Sequence, residues 1–274
     1  MRKVAQVRFR EKNGMRENRI RTIWAEGGNV INGWLSIASS ITAELTANAD
    51  FDSVCIDLQH GSIDYQVAVP MLQAISTTNK TPLVRAPWND PAIIGKLLDA
   101  GAYGVICPMI NTRAQCEAFV AACRYAPLGS RSTGPQRAVL YGGADYVAKA
   151  NETVLTFAMV ETVEALENLE AILTTPGLDA VYVGPSDLSL SMGEKPGYDP
   201  KYPEVMKAIK RVAKEAKKHN VIPCIHVGTT AYALEMFGLG FRLITYAGDY
   251  RFLQWSMQRG LAALRAGKPA PDAL

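Results

Sequence analysis

The chain has no run of 18 apolar residues, no CxxC pair and no Gly-rich turn after its first strand-like segment. Without the first, nothing is long and apolar enough to span a bilayer. The five cysteines are odd in number, and Cys55, Cys107 and Cys224 fall inside apolar strand-like runs. They read as small core residues of a protein kept in a reducing, cytoplasmic setting. The missing glycine-rich turn weighs against a dinucleotide-binding open sheet. The net charge of +3 is too small to argue for nucleic acid or a membrane surface as partner. Apolar residues make up 48% and charged residues 20%, so 274 residues can bury a large core and disorder is not expected.

Charge is unevenly placed. Residues 1–22 carry eight Lys/Arg against Glu11 and Glu17. A basic, acid-poor start suits a transit peptide, but no apolar signal core accompanies it. Residues 1–28 are therefore expected to form a basic arm packed on the body or on a partner subunit. Residues 29–274 form the second unit.

In that second unit, short β-branched runs alternate with helical patterns. The strand candidates are "VINGWLSI", "SVCIDL", "TPLVRAP", "YGVICPMI", "LTFAMVE", "AVYVGPSD", "VIPCIHVG" and "FRLITYAG". Between them lie helices such as "DPAIIGKLLDAG", with Asp90 as N-cap, Pro91 in the first turn and Gly101 closing it. "TVEALENLEAIL" reads as one amphipathic helix, with Leu166, Leu169, Ile172 and Leu173 on one stripe and glutamates opposite. A third helix is "YPEVMKAIKRVAKEAKKHN", its lysines exposed and His219 solvated. Eight strands, seven intervening helical segments and a closing helix predict a single α/β domain, a (β/α)8 TIM barrel. A doubly wound sheet is the alternative.

Active sites of such barrels sit where the strands end. The second candidate strand ends in Gln59-His60, the third carries Arg85, the fifth ends in Glu161 and the sixth in Ser186-Asp187. Each has an ordinary explanation alone: a satisfied histidine, a structural ion pair, an acid before a helix, a turn aspartate. Together they describe a charged ring at one mouth. Glu161 and Asp187 are one βαβ unit apart, so they should lie on neighbouring strands. Two carboxylates with no Cys or His beside them suit a hard divalent cation, Mg2+ or Mn2+ before Zn2+. Arg85 offers a planar fork to a carboxylate or enolate oxygen. Histidine is the side chain suited to proton transfer near neutral pH, so His60 is the candidate base. His226 could serve the core or the mouth equally well. No lysine sits in a strand-end motif, which argues against a Schiff-base mechanism.

The segments "FDSVCIDLQHG", "PLVRAPWNDPAIIGKLLDAGAYGVICPMI", "RYAPLGSRSTG", "VETVEALENLEAIL" and "GLDAVYVGPSDLSLSMG" together carry a specific likeness. From about Trp34 to Leu264 the chain resembles the metal-dependent 4-hydroxy-2-oxoheptanedioate aldolase family (HpcH/HpaI type), which includes 2-dehydro-3-deoxyglucarate aldolase and macrophomate synthase. The resemblance implies a (β/α)8 barrel that exchanges its last helix with a neighbour in a homo-oligomer, a hexamer. It implies reversible cleavage of a 4-hydroxy-2-oxo acid to pyruvate, or a related 2-oxo acid, and an aldehyde. Under it Glu161 and Asp187 hold the metal, with Co2+ or Zn2+ as alternatives to Mg2+ or Mn2+. His60 is the base, Arg85 stabilises the enolate, and the Gly184-Pro185-Ser186-Asp187 backbone receives the substrate carboxylate. Asp99 is implied to raise the basicity of the histidine, although the topology puts it late in a helix, away from the mouth. Arg131, in "RYAPLGSRSTG", is implied to reach a neighbour's active site. Two positions depart from the family pattern. Met159 stands where a substrate-touching Gln is usual, and Gln59 where a Glu often precedes the histidine. Both leave the reaction class standing and open the question of an unusual substrate. The alternatives are a lyase or decarboxylase acting on a dicarboxylate or CoA thioester, and a non-catalytic barrel.

Overall fold

A computed structural model describes residues 14–269. The order begins α1 (Arg19–Ala25), β1 (Val30–Leu35), α2 (Ser40–Asn48), β2 (Ser53–Asp57), α3 (Tyr65–Ile75), β3 (Thr81–Arg85) and α4 (Pro91–Asp99). It continues with β4 (Gly104–Cys107), α5 (Arg113–Cys123), α6 (Gln136–Gly142), α7 (Tyr146–Thr153), β5 (Leu155–Val160), α8 (Val163–Glu167) and α9 (Leu169–Leu173). It closes with β6 (Ala180–Val183), α10 (Pro185–Ser191), α11 (Pro203–Lys218), β7 (Ile222–Val227), α12 (Thr230–Gly238), β8 (Leu243–Tyr246) and α13 (Asp249–Arg265). All eight strands are parallel and form a closed barrel, in which Val30, Ile31 and Asn32 pair with Leu243, Ile244 and Thr245 to join β1 to β8. The fold is the expected (β/α)8 barrel.

The strands are short, nearly continuous apolar runs because both of their faces are buried. One face of β5, with Phe157 and Met159, points into the barrel beside Trp34, Leu83, Ile106, Tyr182 and Leu243. The other, with Ala158 and Val160, packs under the helices. All five cysteines are free and buried. Helix starts follow local chemistry. Asp90 caps α4 by accepting from the Ala92 amide, with Pro91 in the first turn, and Gly101 follows the helix at φ +102°.

Three sequence expectations change. "TVEALENLEAIL" is two helices, broken at Asn168, whose side-chain amide donates to the carbonyls of Asn111 and Glu164. Its apolar stripe is buried all the same. Strand six stops at Val183, so Ser186 and Asp187 lie in the first turn of α10 and not on a strand. His219 is not solvated: as C-cap of α11 it is only partly exposed, 3.9 Å from Glu170.

Residues 14–28 close the end of the barrel opposite the strand C-termini. Ile20 of α1 is fully buried in the barrel interior, and Trp24 meets Phe157 edge-on at 6.1 Å. Asn18 caps α1 and ties it to the carbonyls of Tyr103 and Thr153. Arg21 pairs with Asp179 at 2.8 Å. Residues 1–13 of the expected arm lie outside the described residues. At the other terminus α13 buries none of its residues and exposes Leu253, Trp255, Met257, Leu261 and Leu264. Among the described residues no helix is long and apolar enough to cross a membrane.

Candidate active site

A cavity of about 450 Å3 opens where the strands end. His60, Arg85, Met159, Glu161, Gly184, Pro185, Ser186 and Asp187 all line it. The barrel thus gathers eight of the ten positions singled out in the sequence. Asp99 and Arg131 are elsewhere. Asp99 ends α4 and pairs with Arg131 at 2.7 Å. Arg131 also donates to the Tyr146 hydroxyl and lies 4.5 Å from the Tyr125 ring centroid. Within one chain that pair is a tether of the outer layer, so Asp99 does not contact His60.

The group that does organise His60 is Asp57, the last residue of β2, which carried no assigned role in the sequence. Its carboxylate accepts the Gln59 and His60 amides at 3.0 and 3.2 Å. It also takes the Arg85 fork, Nε at 2.8 Å and a terminal nitrogen at 2.7 Å. Burial alone would raise the Asp57 carboxyl, but the Arg85 bonds and charge outweigh it and hold the group below its ordinary range. Arg85 is buried too, and Asp57 more than offsets that penalty. The guanidinium lies 4.8 Å from the Trp34 ring centroid. Gly61 is required here, because a Cβ at that position would collide with the Asp57 carbonyl oxygen. That contact explains why the strand runs into a His-Gly turn.

Glu161 follows β5 directly and is 2% exposed. One of its oxygens accepts the Met109 amide at 2.9 Å, and Met109 itself sits at φ +55°. No cationic side chain pairs with it among the described residues. Burial, reinforced by the Asp187 charge and opposed by the Met109 amide and Arg85, pushes its carboxyl up to about 7. A Cβ at Gly184 would collide with the second Glu161 oxygen, so glycine keeps the approach to that carboxylate clear. Asp187 is exposed at the mouth. Among the described residues no group of three or more His, Cys, Asp and Glu is placed to hold a metal ion.

His226 settles on the mouth side. It lines the cavity, edge-on to Trp34 at 5.2 Å and against Tyr198 at 4.8 Å. Burial, helped by Arg85 and Arg251, lowers its imidazolium to about 3, so the ring is neutral at physiological pH. Tyr198 and Arg251 also line the cavity and were not legible as site residues, since neither stands at a strand end.

Known proteins resemble this chain along most of its length. Residues 31–235 match the family model for HpcH/HpaI aldolase/citrate lyase. A hydroxypyruvate/pyruvate aldolase of Rhizorhabdus wittichii is 42% identical over 249 residues, 91% of this chain and 99% of that protein. A 4-hydroxy-2-oxo-heptane-1,7-dioate aldolase of Salmonella dublin is 36% identical over 236 residues, 85% of this chain and 88% of that one. Among solved structures, an HpcH/HpaI aldolase/citrate lyase family protein of Burkholderia cenocepacia superposes with a TM-score of 0.83 at 32% identity, covering 90% and 99% of the two chains.

Proposed function

Because the chain belongs to the HpcH/HpaI aldolase/citrate lyase family, and is therefore a carbon–carbon lyase of the aldolase type, we propose its reaction. It is the divalent-metal-dependent, reversible cleavage of a 4-hydroxy-2-oxo acid to pyruvate, or a related 2-oxo acid, and an aldehyde. The carrying observation is a buried, unpaired Glu161 carboxylate beside Asp187, in the same cavity as a guanidinium fixed by Asp57.

A metal fits the residues present. Glu161 is an oxygen donor with no cation to compensate it, Asp187 adds a second carboxylate, and Gly184 leaves the approach open. Oxygen-only donors favour Mg2+ or Mn2+. Bound there, a divalent ion would supply Lewis acidity toward the 2-oxo carboxylate.

The chain's own groups do the rest. In the cleavage direction a base removes the proton of the C4 hydroxyl and the C3–C4 bond breaks. The aldehyde leaves, and the electron pair passes into an enolate of the 2-oxo acid, which is then protonated at C3. His60 suits the proton transfers. Its backbone is held by Asp57, while its exposed ring makes no hydrogen bond within the described residues. Arg85 can stabilise the enolate oxygen by charge and a free N–H, because Asp57 already fixes its plane. The first-turn amides of Ser186 and Asp187 have no partner inside α10 and can receive the substrate carboxylate. Met159, 2% exposed, contributes an apolar wall.

The exposed apolar face of α13 supports exchange with a neighbouring subunit in a homo-oligomer, a hexamer, in which the Arg131 loop meets a second subunit. The five buried free thiols suit a reducing cytoplasm. The testing experiment follows pyruvate release from 4-hydroxy-2-oxo acids after chelation and after return of Mg2+ or Mn2+. Borohydride with pyruvate should trap no lysine adduct. Metal-independent turnover, or a trapped lysine, overturns the proposal, and a stable monomer by light scattering overturns the assembly.

A further inference from the structure

The Arg85 guanidinium is gripped along one edge only. Its Nε and Nη2 bond to Asp57, and the N–H groups of Nη1 are left for a substrate oxygen. Two bonds to one carboxylate set the direction of the fork. They resist tilting of its far end only weakly, because hydrogen bonds tolerate a spread of angles. Trp34 supplies the missing restraint. The guanidinium carbon lies over the indole, 4.8 Å from its centroid, and Trp34 is itself buried. The attraction between a cation and an aromatic face is stronger at such a shielded place than in water.

Trp34 is held from several sides. It stands on β1 and points into the barrel. Tyr182 of β6 stacks on it at 6.3 Å with 29° between the ring planes, and His226 of β7 meets it edge-on at 5.2 Å. Gly248, after β8, closes over the indole, and a Cβ there would lie 3.3 Å from it. Burial and the charges of Arg85 and Arg251 keep the His226 ring neutral, so it adds no second cation to compete for the indole. A leucine could fill much of the same volume. It would offer the buried guanidinium no electron-rich face, and indole is the strongest of the aromatic faces for this contact.

Resting on the aldolase reading above, we propose that Trp34 is a positioning residue: its indole face holds the Arg85 guanidinium in the plane from which Nη1 meets the enolate oxygen. Its part in catalysis runs through Arg85. Loss of the face should therefore slow enolate formation and leave the binding of pyruvate and metal in place.

The test reads deuterium exchange into the pyruvate methyl, with the metal-loaded full-length enzyme. Trp34→Leu is expected to lower the exchange kcat about tenfold, the scale of one shielded contact of this kind. The KM for pyruvate and the Mn2+ affinity should stay within about twofold of wild type, and Trp34→Phe should recover part of the rate. In an Arg85→Gln background, which lacks the cation, Trp34→Leu should cost little further. Fluorinated tryptophan gives a second reading that keeps the fold and the shape of the ring. Fluorine drains the ring face, so exchange should fall stepwise from tryptophan to its 5-fluoro and 5,7-difluoro forms. Trp34→Phe, whose three other tryptophans carry the same label, should show no such trend. A flat fluorine series overturns the proposal, as does a Trp34→Leu penalty of equal size with and without Arg85. A Trp34→Leu enzyme that loses pyruvate and Mn2+ binding in step with its rate also overturns it, since Trp34 then only supports the fold. A wild type that exchanges no methyl proton overturns the aldolase reading and this proposal with it.

Discussion

Arg85 and Asp57 stand opposite one another in the β2–β3 register and join through two parallel hydrogen bonds of 2.8 and 2.7 Å. The same carboxylate carries the Gln59 and His60 amides, so one aspartate fixes both the cation and the start of the histidine loop. Removing one member of a buried pair typically costs about 3–5 kcal/mol, because the other charge is left uncompensated. Asp57→Ala is expected to lower the unfolding free energy on that scale and to cut kcat by roughly 10²–10³-fold as Arg85 loses its aim. Asp57→Asn keeps an acceptor for the two amides and should be milder in denaturant unfolding. If Asp57→Ala unfolds like wild type, the pair is not what holds Arg85.

Gly184 supports a steric prediction. Its φ is −94°, so glycine is not needed there for backbone freedom. What glycine provides is space, since a Cβ would meet a Glu161 oxygen and the Met159 methyl. Gly184→Ala should displace the Glu161 carboxylate and weaken Mn2+ binding about 10–100-fold, the usual scale for disturbing a ligand's support. An Mn2+ titration followed by electron paramagnetic resonance measures this without reference to turnover, and an unchanged affinity refutes it.

The barrel was legible because its strands are apolar on both faces and its helices are amphipathic, so the two periodicities alternate visibly along the chain. The mouth was legible because polar residues at strand ends are rare against that background. Asp57 was missed for the same reason that it matters. It is buried at a strand end and looks like an ordinary turn residue until the β2–β3 register sets it beside Arg85. The α8–α9 break depends on Asn168 reaching the carbonyl of Asn111, 57 residues away in sequence. The pairing of Asp99 with Arg131 likewise joins a helix end to a distant loop. Ile20, Ile23 and Trp24 did carry a helical apolar spacing, but the surrounding arginines drew attention to charge and concealed the barrel plug.

The buried Glu161 gives the metal-free protein a signed pH dependence. Its carboxyl titrates at about 7 in the fold against 4.5 for an ordinary glutamate. Below pH 4.5 the group is protonated in both folded and unfolded chains and contributes no difference. Between 4.5 and about 7 the unfolded chain ionises first, so stability falls as pH rises, by about 3 kcal/mol in all. Above 7 the effect is flat. Glu161→Gln should remove that slope in urea unfolding with chelator present. Cation binding runs the opposite way: below pH 7 each ion expels one proton, so affinity should drop about tenfold per pH unit. An affinity independent of pH between 5 and 7 would place the ion elsewhere.

His60 and Glu161 share a cavity but should fail in separable ways. A base does not have to be a ligand, so His60→Ala should bind Mn2+ as wild type does, while Glu161→Gln should not. Deuterium exchange into the pyruvate methyl isolates proton transfer at C3 from the cleavage of a carbon–carbon bond. In His60→Ala it should fall by roughly 10²–10⁴-fold, the usual weight of a positioned general base. Arg85→Lys keeps the charge but loses the two-pronged grip of Asp57. It should depress turnover more than cation affinity. Following all three variants by NMR exchange and by metal titration separates base, ligand and oxyanion donor. If His60→Ala exchanges at the wild-type rate, another group moves the proton, and the neutral ring of His226 is the other histidine lining the cavity.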